Sequence, residues 1–433
     1  MTERRTIGVE ERLPILETIP LSLQHLFAMF GSTVLVPILF HVNPATILLF
    51  NGIGTLLYLV LCKGKIPAYL GSSFAFLSPV FLVLAQYSYE AALGGFIATG
   101  CVFCAVGLLI RAIGTAWIDV IFPPASMGAI VAVIGLELMP TAAGMAGLTA
   151  ETPDMTTITV SILTLAITII ASVAFKGFLS IIPILIGVVS GYIIAAACGI
   201  VDWSLVENAA WFALPTFYHP IFEPGAILII LPASLVVIAE HIGHLIVTGN
   251  IVGQDLTKDP GLDRSIFGNG LSTIISGFFG STPNTTYGEN IGVLAITRVF
   301  STWVIGGAAC FAILLSCLGK LAALIQSIPA PVMGGVSMLL FGLIAASGIR
   351  ILVEANVDYN QPMNLLLTSI VMGIGVSTAS ITIGTVTLKG MALATIVAIL
   401  LSITFRVIAR LRGEPFAPAS KADEKTTGDL HHE

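Results

Sequence analysis

One glutamate and two histidines stand inside an apolar run, residues 224–245, PGAILIILPASLVVIAEHIGHL. A charged side chain at the centre of a membrane helix costs about 2.5–3.5 kcal/mol even on insertion scales, and such groups mark substrate and proton paths. Glu240 and His244 are i,i+4 and share one helix face, whereas His241 is turned about 100° away. The pair reads as a proton-coupling unit; the alternative is a hydrogen bond that glues helices. The order is E-H-x-x-H, not the H-E-x-x-H of a zinc protease, so no metal site is read here.

A second carboxylate, Glu289, lies in Thr285-Thr286-Tyr287-Gly288-Glu289-Asn290, at the start of a segment too short to cross a bilayer as a regular helix. The stretch Gly71-Ser72-Ser73-Phe74-Ala75-Phe76 has the same character. Both read as broken spans. Non-helical backbone survives at membrane depth only where protein or a wet cavity satisfies its N–H and C=O groups. Paired interruptions of this kind mark substrate sites in transporters. Asn290 is expected to cap the following helix, a task Glu does less well. Gln24 and His25, followed by Gly31 and Ser32, add polar groups to the first apolar run, either as ligand contacts or as hydrogen bonds between helices. Glu240, His244 and Glu289 have no intramembrane Lys or Arg partner, and burial disfavours the charged form of each. They are therefore expected to take up and release the coupling proton.

The six cysteines, Cys101 and Cys104 among them, fall in or beside apolar runs and read as small hydrophobes. An intramembrane enzyme would need a nucleophile or a metal cluster, and the pattern offers neither. No enzymatic activity and no bound cofactor are expected.

The elements that must hold these groups follow from composition. Of 433 residues, 56% are hydrophobic and 10% charged, against about 25% charged in a soluble domain. Apolar runs recur from Ile19 to Phe405, which makes the chain an all-α polytopic membrane protein. Fourteen spans are read, beginning near Ile19, Ala45, Ser72, Glu90, Pro124, Thr156, Leu179, Gly225, Ser265, Tyr287, Thr302, Ala330, Met363 and Gly390. With both termini inside, all of the 18 basic residues except Lys320 and Lys389 fall on the inner side, as the positive-inside rule requires. The N-terminus carries Glu and Arg together and reads as no signal peptide. The polar segment 413–433 reads as a disordered cytoplasmic tail. Pro123-Pro124-Ala125-Ser126-Met127-Gly128 and Pro329-Ala330-Pro331-Val332-Met333-Gly334 open the fifth and twelfth spans. Seven spans apart, they imply a 7+7 inverted repeat in which spans three and ten are equivalents.

These residues resemble the nucleobase–cation symporters of the nucleobase/ascorbate family. The most specific match is Glu289-Asn290-x-Gly292, four residues, then Thr297-Arg298. The resemblance extends from Thr18 to Thr395. It implies short antiparallel strands in spans three and ten, a core domain (19–112 and 225–320) and a gate domain (118–198 and 329–410), behind a cytoplasmic N-terminus (1–18). It implies proton-coupled uptake of uracil across a bacterial cytoplasmic (inner) membrane, by a homodimer, with uracil, a proton and lipid as partners and no nucleic acid. Carried over by position, Glu240 and Glu289 would bond the pyrimidine, His244 would support Glu240 and the proton, and Phe74 and Gly288 would offer backbone N–H groups. Ser32 would line the pocket, with Tyr287 and His25 as neighbours. Phe341 stands where close relatives are expected to have Tyr. Purine-transporting relatives tend to have Gln at the position of Glu289, so the residue favours a pyrimidine. The alternatives are a xanthine or urate symporter and an anion exchanger of the same architecture.

Overall fold

The computed structural model describes residues 5–176, 179, 182–383 and 386–413. The tail read from 413 onward lies, beyond Gly413 itself, outside the described residues, as do residues 1–4 of the N-terminal segment.

Helices dominate, and proline sets where many of them begin. Pro44, Pro124, Pro183, Pro224 and Pro362 each open a helix, where the missing N–H costs no intrahelical bond and φ is already helical. Asn43 completes one such start by accepting from the Ala45 N–H at 2.9 Å. Elsewhere proline interrupts. Pro224–Ile230 and Ala233–Val252 are separate helices joined through Leu231 and Pro232, because Pro232 has no N–H to donate. Among the described residues, eight helical segments are long and apolar enough to cross a membrane, including Ile15–Phe40, Tyr89–Ile113, Pro224–Val252 and Ala330–Glu354. The shorter apolar helices are Phe74–Leu84, Pro183–Ala197, Thr302–Ser316 and Pro362–Val376.

The two stretches read as broken spans contain strands β1 (Leu70–Ser72) and β2 (Asn284–Thr286), paired antiparallel with Gly71 opposite Thr285. All six residues are buried. Their flanking amides are satisfied as well: Ser73 N–H donates to Pro283 O at 2.9 Å, and Leu70 N–H to Thr55 Oγ1 at 2.9 Å. Gly71 is required by space, since a Cβ there would lie 2.3 Å from Tyr287 Cε2 and 2.4 Å from Met29 Cε. Each strand runs straight into a helical turn, Phe74–Phe76 after β1 and Gly288–Thr297 after β2.

Another antiparallel pair, β3 (Ser380–Ile383) with β4 (Val386–Lys389), precedes the helix Gly390–Leu411. The sequence reading has no strands there. The alternating Ser-Ile-Thr-Ile and Val-Thr-Leu-Lys carry the period-2, β-branched signature of a hairpin, but the runs are too short to stand out beside apolar helices.

Proximity along their lengths sorts the helices into two groups. In one, Leu262–Phe279 lies on Tyr89–Ile113 and Pro44–Leu61, and Thr302–Ser316 lies on Pro44–Leu61 and Ile15–Ala28. In the other, Ala330–Glu354 runs along Pro124–Met145 and Met155–Ala174, while Gly390–Leu411 packs on Pro362–Val376 and Pro124–Met145. The Glu240 helix, Ala233–Val252, touches both groups, so its polar face sits at their boundary. The N-terminal segment completes the first group: Ile7 N–H donates to Arg298 O and Phe300 N–H to Ile7 O, each at 2.9 Å.

Candidate functional site

The paired strands bring two helix starts together. Phe74 and Gly288 are the first residues of their helical turns, so neither N–H has an intrahelical acceptor. Donors at helix N-termini favour electronegative partners. Glu289 follows as the second residue of its helix, where a carboxylate is favoured by the helix dipole.

Beside these turns lies a cavity of about 310 Å³, at the small end of ligand pockets. Phe74, Glu240, His244, Tyr287, Gly288 and Glu289 line it on one side; Val131, Ile184, Leu343, Ile344, Ser347 and Arg350 line it from the other group of helices. Larger hollows lie elsewhere: one of about 520 Å³ beside Lys65, Asp255 and Asp259, and one of about 640 Å³ between Asp255, Lys258 and the apolar residues Ile242, Leu245 and Ile246. Neither is lined by Glu240, Glu289 or the helix-starting residues Phe74 and Gly288.

Strand β2 orients two titratable residues of the Glu240 helix, Glu240 and His244. Thr285 Oγ1 donates to Glu240 Oε2 at 3.4 Å. The next residue holds the imidazole: His244 Nδ1 lies 2.9 Å from Thr286 O and 3.2 Å from Thr286 Oγ1. A carbonyl oxygen only accepts, so Nδ1 carries a proton, and a neutral His244 presents Nε2 as an acceptor. A Cβ built on Gly288 would lie 3.4 Å from His244 Nε2 and 3.5 Å from Ser347 Oγ. The glycine thus sits between a group of one bundle and a group of the other. This corrects one expectation. His244 shares a helix face with Glu240, yet it bonds to the end of β2 rather than to the carboxylate, because the Thr286 carbonyl stands where the ladder stops and takes the ring N–H.

The aromatic residues form the wall. Tyr287 O–H donates to Ser72 O across the strands, and its ring meets Phe74 edge-on at 6.2 Å. Phe74 in turn meets Phe341 edge-on at 5.8 Å. Phe341 is fully buried behind Phe74 and does not line the cavity.

The remaining expected residues are near but not lining. Ser32 O–H donates to Met29 O at 3.0 Å, at the break between Ile15–Ala28 and Phe30–Phe40. Gln24 and His25 are buried in the first of these helices. Asn290 is not the cap of its helix: Tyr287 holds the N-cap position, and the buried Asn290 amide sits at the third helical residue with neither polar atom hydrogen-bonded. His241 turns away, as its position on the helix requires, and meets Ser265 Oγ at 2.7 Å, itself 2.6 Å from Tyr58 Oη. Sequence reading misses Thr285 as a partner of Glu240 and misses the wall formed by Ser347 and Arg350. The i,i+3 spacing of the latter two puts them on one helix face, but nothing in the chain says which cavity that face meets.

Residues 16–384 match the sequence profile of the permease family Xan_ur_permease. The uracil permease of Escherichia coli (strain K12) is 70% identical over 95% of this chain and 96% of its own length. The uracil permease of Bacillus subtilis (strain 168) is 46% identical over 98% of both chains. In fold, the transmembrane domain of the cyanobacterial bicarbonate transporter BicA is similar over 92% of this chain and 98% of its own, with a TM-score of 0.59 at 15% identity. SLC26A9 is similar over 93% of this chain, with a TM-score of 0.68 at 12% identity; the chain spans 66% of that longer protein. At such identities the likeness is one of fold alone, whereas the sequence matches run the length of the chain: it belongs to the nucleobase/ascorbate permease family.

Proposed function

We propose that this protein carries uracil across a bacterial cytoplasmic membrane together with a proton. The observation that carries the reading is the convergence, in one cavity between two helical groups, of Glu240, Glu289 and the helix-starting N–H groups of Phe74 and Gly288. Uracil alternates ring N–H donors with carbonyl acceptors. Carboxylate oxygens accept from the former, and backbone N–H groups donate to the latter. The 70%-identical relative named uracil permease supports this substrate. A site matched to that edge pattern penalises a mismatched base by leaving a buried polar group unpaired, at about 1–3 kcal/mol.

The coupling proton resides among Glu240, His244 and Glu289. Two carboxylates facing one cavity repel when both are charged, and a proton relieves the repulsion. His244 takes part through Nε2, its Nδ1 being engaged by Thr286. The chain has fourteen spans in two inverted repeats, both termini inside, and works as a homodimer. The core (19–112 and 225–320) moves against the gate (118–198 and 329–410), and the cavity opens inward past Ile296 and Arg350, both of which line it.

The test is uptake of labelled uracil into proteoliposomes driven by an imposed proton gradient. Accumulation abolished by collapsing the gradient, and displaced by unlabelled uracil more than by xanthine, is expected. Uptake driven by sodium alone would sink the proton assignment, and displacement by xanthine first would replace uracil with a purine.

A further inference from the structure

A carboxylate that the site does not use joins the two helical groups. Glu137, on Pro124–Met145, accepts from Ser78 O–H at Oε1 (2.8 Å) and from the backbone N–H of Met391 at Oε2 (2.7 Å). Met391 is the second residue of Gly390–Leu411, so the carboxylate rests on a helix N-terminus of its own group, where negative charge is favoured. The fit is tight. Gly390 has φ +53°, and a Cβ there would lie 2.0 Å from Glu137 Oε1 and 2.5 Å from Oε2.

Ser78 belongs to the other group. Its helix, Leu77–Leu84, continues the turn that begins at Phe74, and four residues separate the two, which places them on one face. Phe74 meets Phe341 of the Ala330–Glu354 helix. The groups therefore touch twice along this face: ring against ring at Phe74, and hydroxyl against carboxylate one turn further on. Both contacts involve residues distinct from Ile296 and Arg350 on the cavity wall, and in the topology proposed above Gly390–Leu411 begins on the outer side.

We infer that Glu137 is a positioning residue for transport, whose bond to Ser78 latches the outer side of the cavity and breaks each time the site turns outward. The inference rests on the transport reading above. A hydrogen bond to a carboxylate is stronger than one between neutral groups, so it holds the closed side. The Met391 N–H keeps the carboxylate bonded when Ser78 leaves, so opening strands no unpaired charge. Glu137 is thus anchored on one group and releasable from the other.

The test compares uracil transport by the full-length chain in right-side-out and inside-out membrane vesicles. Removing the latch raises the outward-open fraction, and apparent affinity on a face scales with the fraction of protein open to it. Ser78→Ala is expected to lower KM on the outer face about tenfold, leave KM on the inner face unchanged or raised as the inward-open fraction falls, and increase hydrogen–deuterium exchange over Leu77–Leu84. Ser78→Thr, which keeps the hydroxyl, restores the wild-type asymmetry. A KM unchanged on the outer face, or shifted equally on both, overturns the latch. If the wild type transports no uracil, the substrate reading fails separately, and exchange decides the latch alone: faster exchange in Ser78→Ala supports it, unaltered exchange overturns it.

Discussion

The two broken segments have one architecture and different chemistry. Leu70–Leu84 and Asn284–Thr297 each run strand, turn, helix, and they meet through β1 and β2. The first supplies an aromatic ring, a backbone donor and, one turn on, the Ser78 contact with Glu137. The second supplies Glu289 and, through Thr285 and Thr286, orients Glu240 and His244. A shared backbone scaffold thus leaves one half free to hold the other helical group and the other half free to arrange titratable groups. Substitutions in the second segment should act on binding, and those in the first on stability and on the balance between conformations.

That division can be broken at several points. The largest effect is expected from Glu289→Gln, which removes a charged acceptor from the cavity and should weaken uracil binding about tenfold to a hundredfold while leaving thermal unfolding near that of the wild type. Unchanged affinity, measured by calorimetry on detergent-solubilised protein, would remove Glu289 from the site. Gly71→Ala comes next. Its Cβ collides with Tyr287 and Met29, and overpacking of this kind costs about 1–3 kcal/mol, so the melting temperature should fall by several degrees; a variant melting like the wild type would mean the strands tolerate separation. Thr285→Val takes from Glu240 its hydroxyl donor, and a threefold loss of affinity, about 0.7 kcal/mol, is expected within the range of a single hydrogen bond. Thr286→Val should do less, below about twofold, since the carbonyl that holds His244 remains. If the Thr286 change proved the more damaging, the hydroxyl at 3.2 Å would be the main support of the ring.

Much of this architecture is legible in the amino-acid sequence. Small, polar and aromatic residues at Gly71–Phe76 and Thr285–Asn290 mark the breaks because regular apolar helices have no use for them at membrane depth. The paired Pro-initiated motifs at 123 and 329 mark helices that lie against each other, Pro124–Met145 and Ala330–Glu354. Glu240, His244 and Glu289, which stand out as charge in an apolar run, line one cavity. What the chain does not reveal is which partner each polar group finds. His244 goes to Thr286, 42 residues away, and Glu137 to Ser78, 59 residues away. Helical spacing governs neighbours on one helix, but it carries no information on the registry between helices. Asn290 misleads for a related reason: capping preference assumes a helix starting one residue after it, whereas the β2 strand delivers the chain into helix already at Gly288.

The strand pair also sets an order on biosynthesis. Ser72, at the end of β1, is bonded to Thr282, 210 residues further along the chain. At translation rates of about 5–20 residues per second, β1 emerges roughly 10–40 s before its partner exists. Through that interval its N–H and C=O groups have no ladder and cannot rest in lipid. The first half of the protein therefore cannot complete this sheet alone: β1 gains its ladder only once the second half has been made.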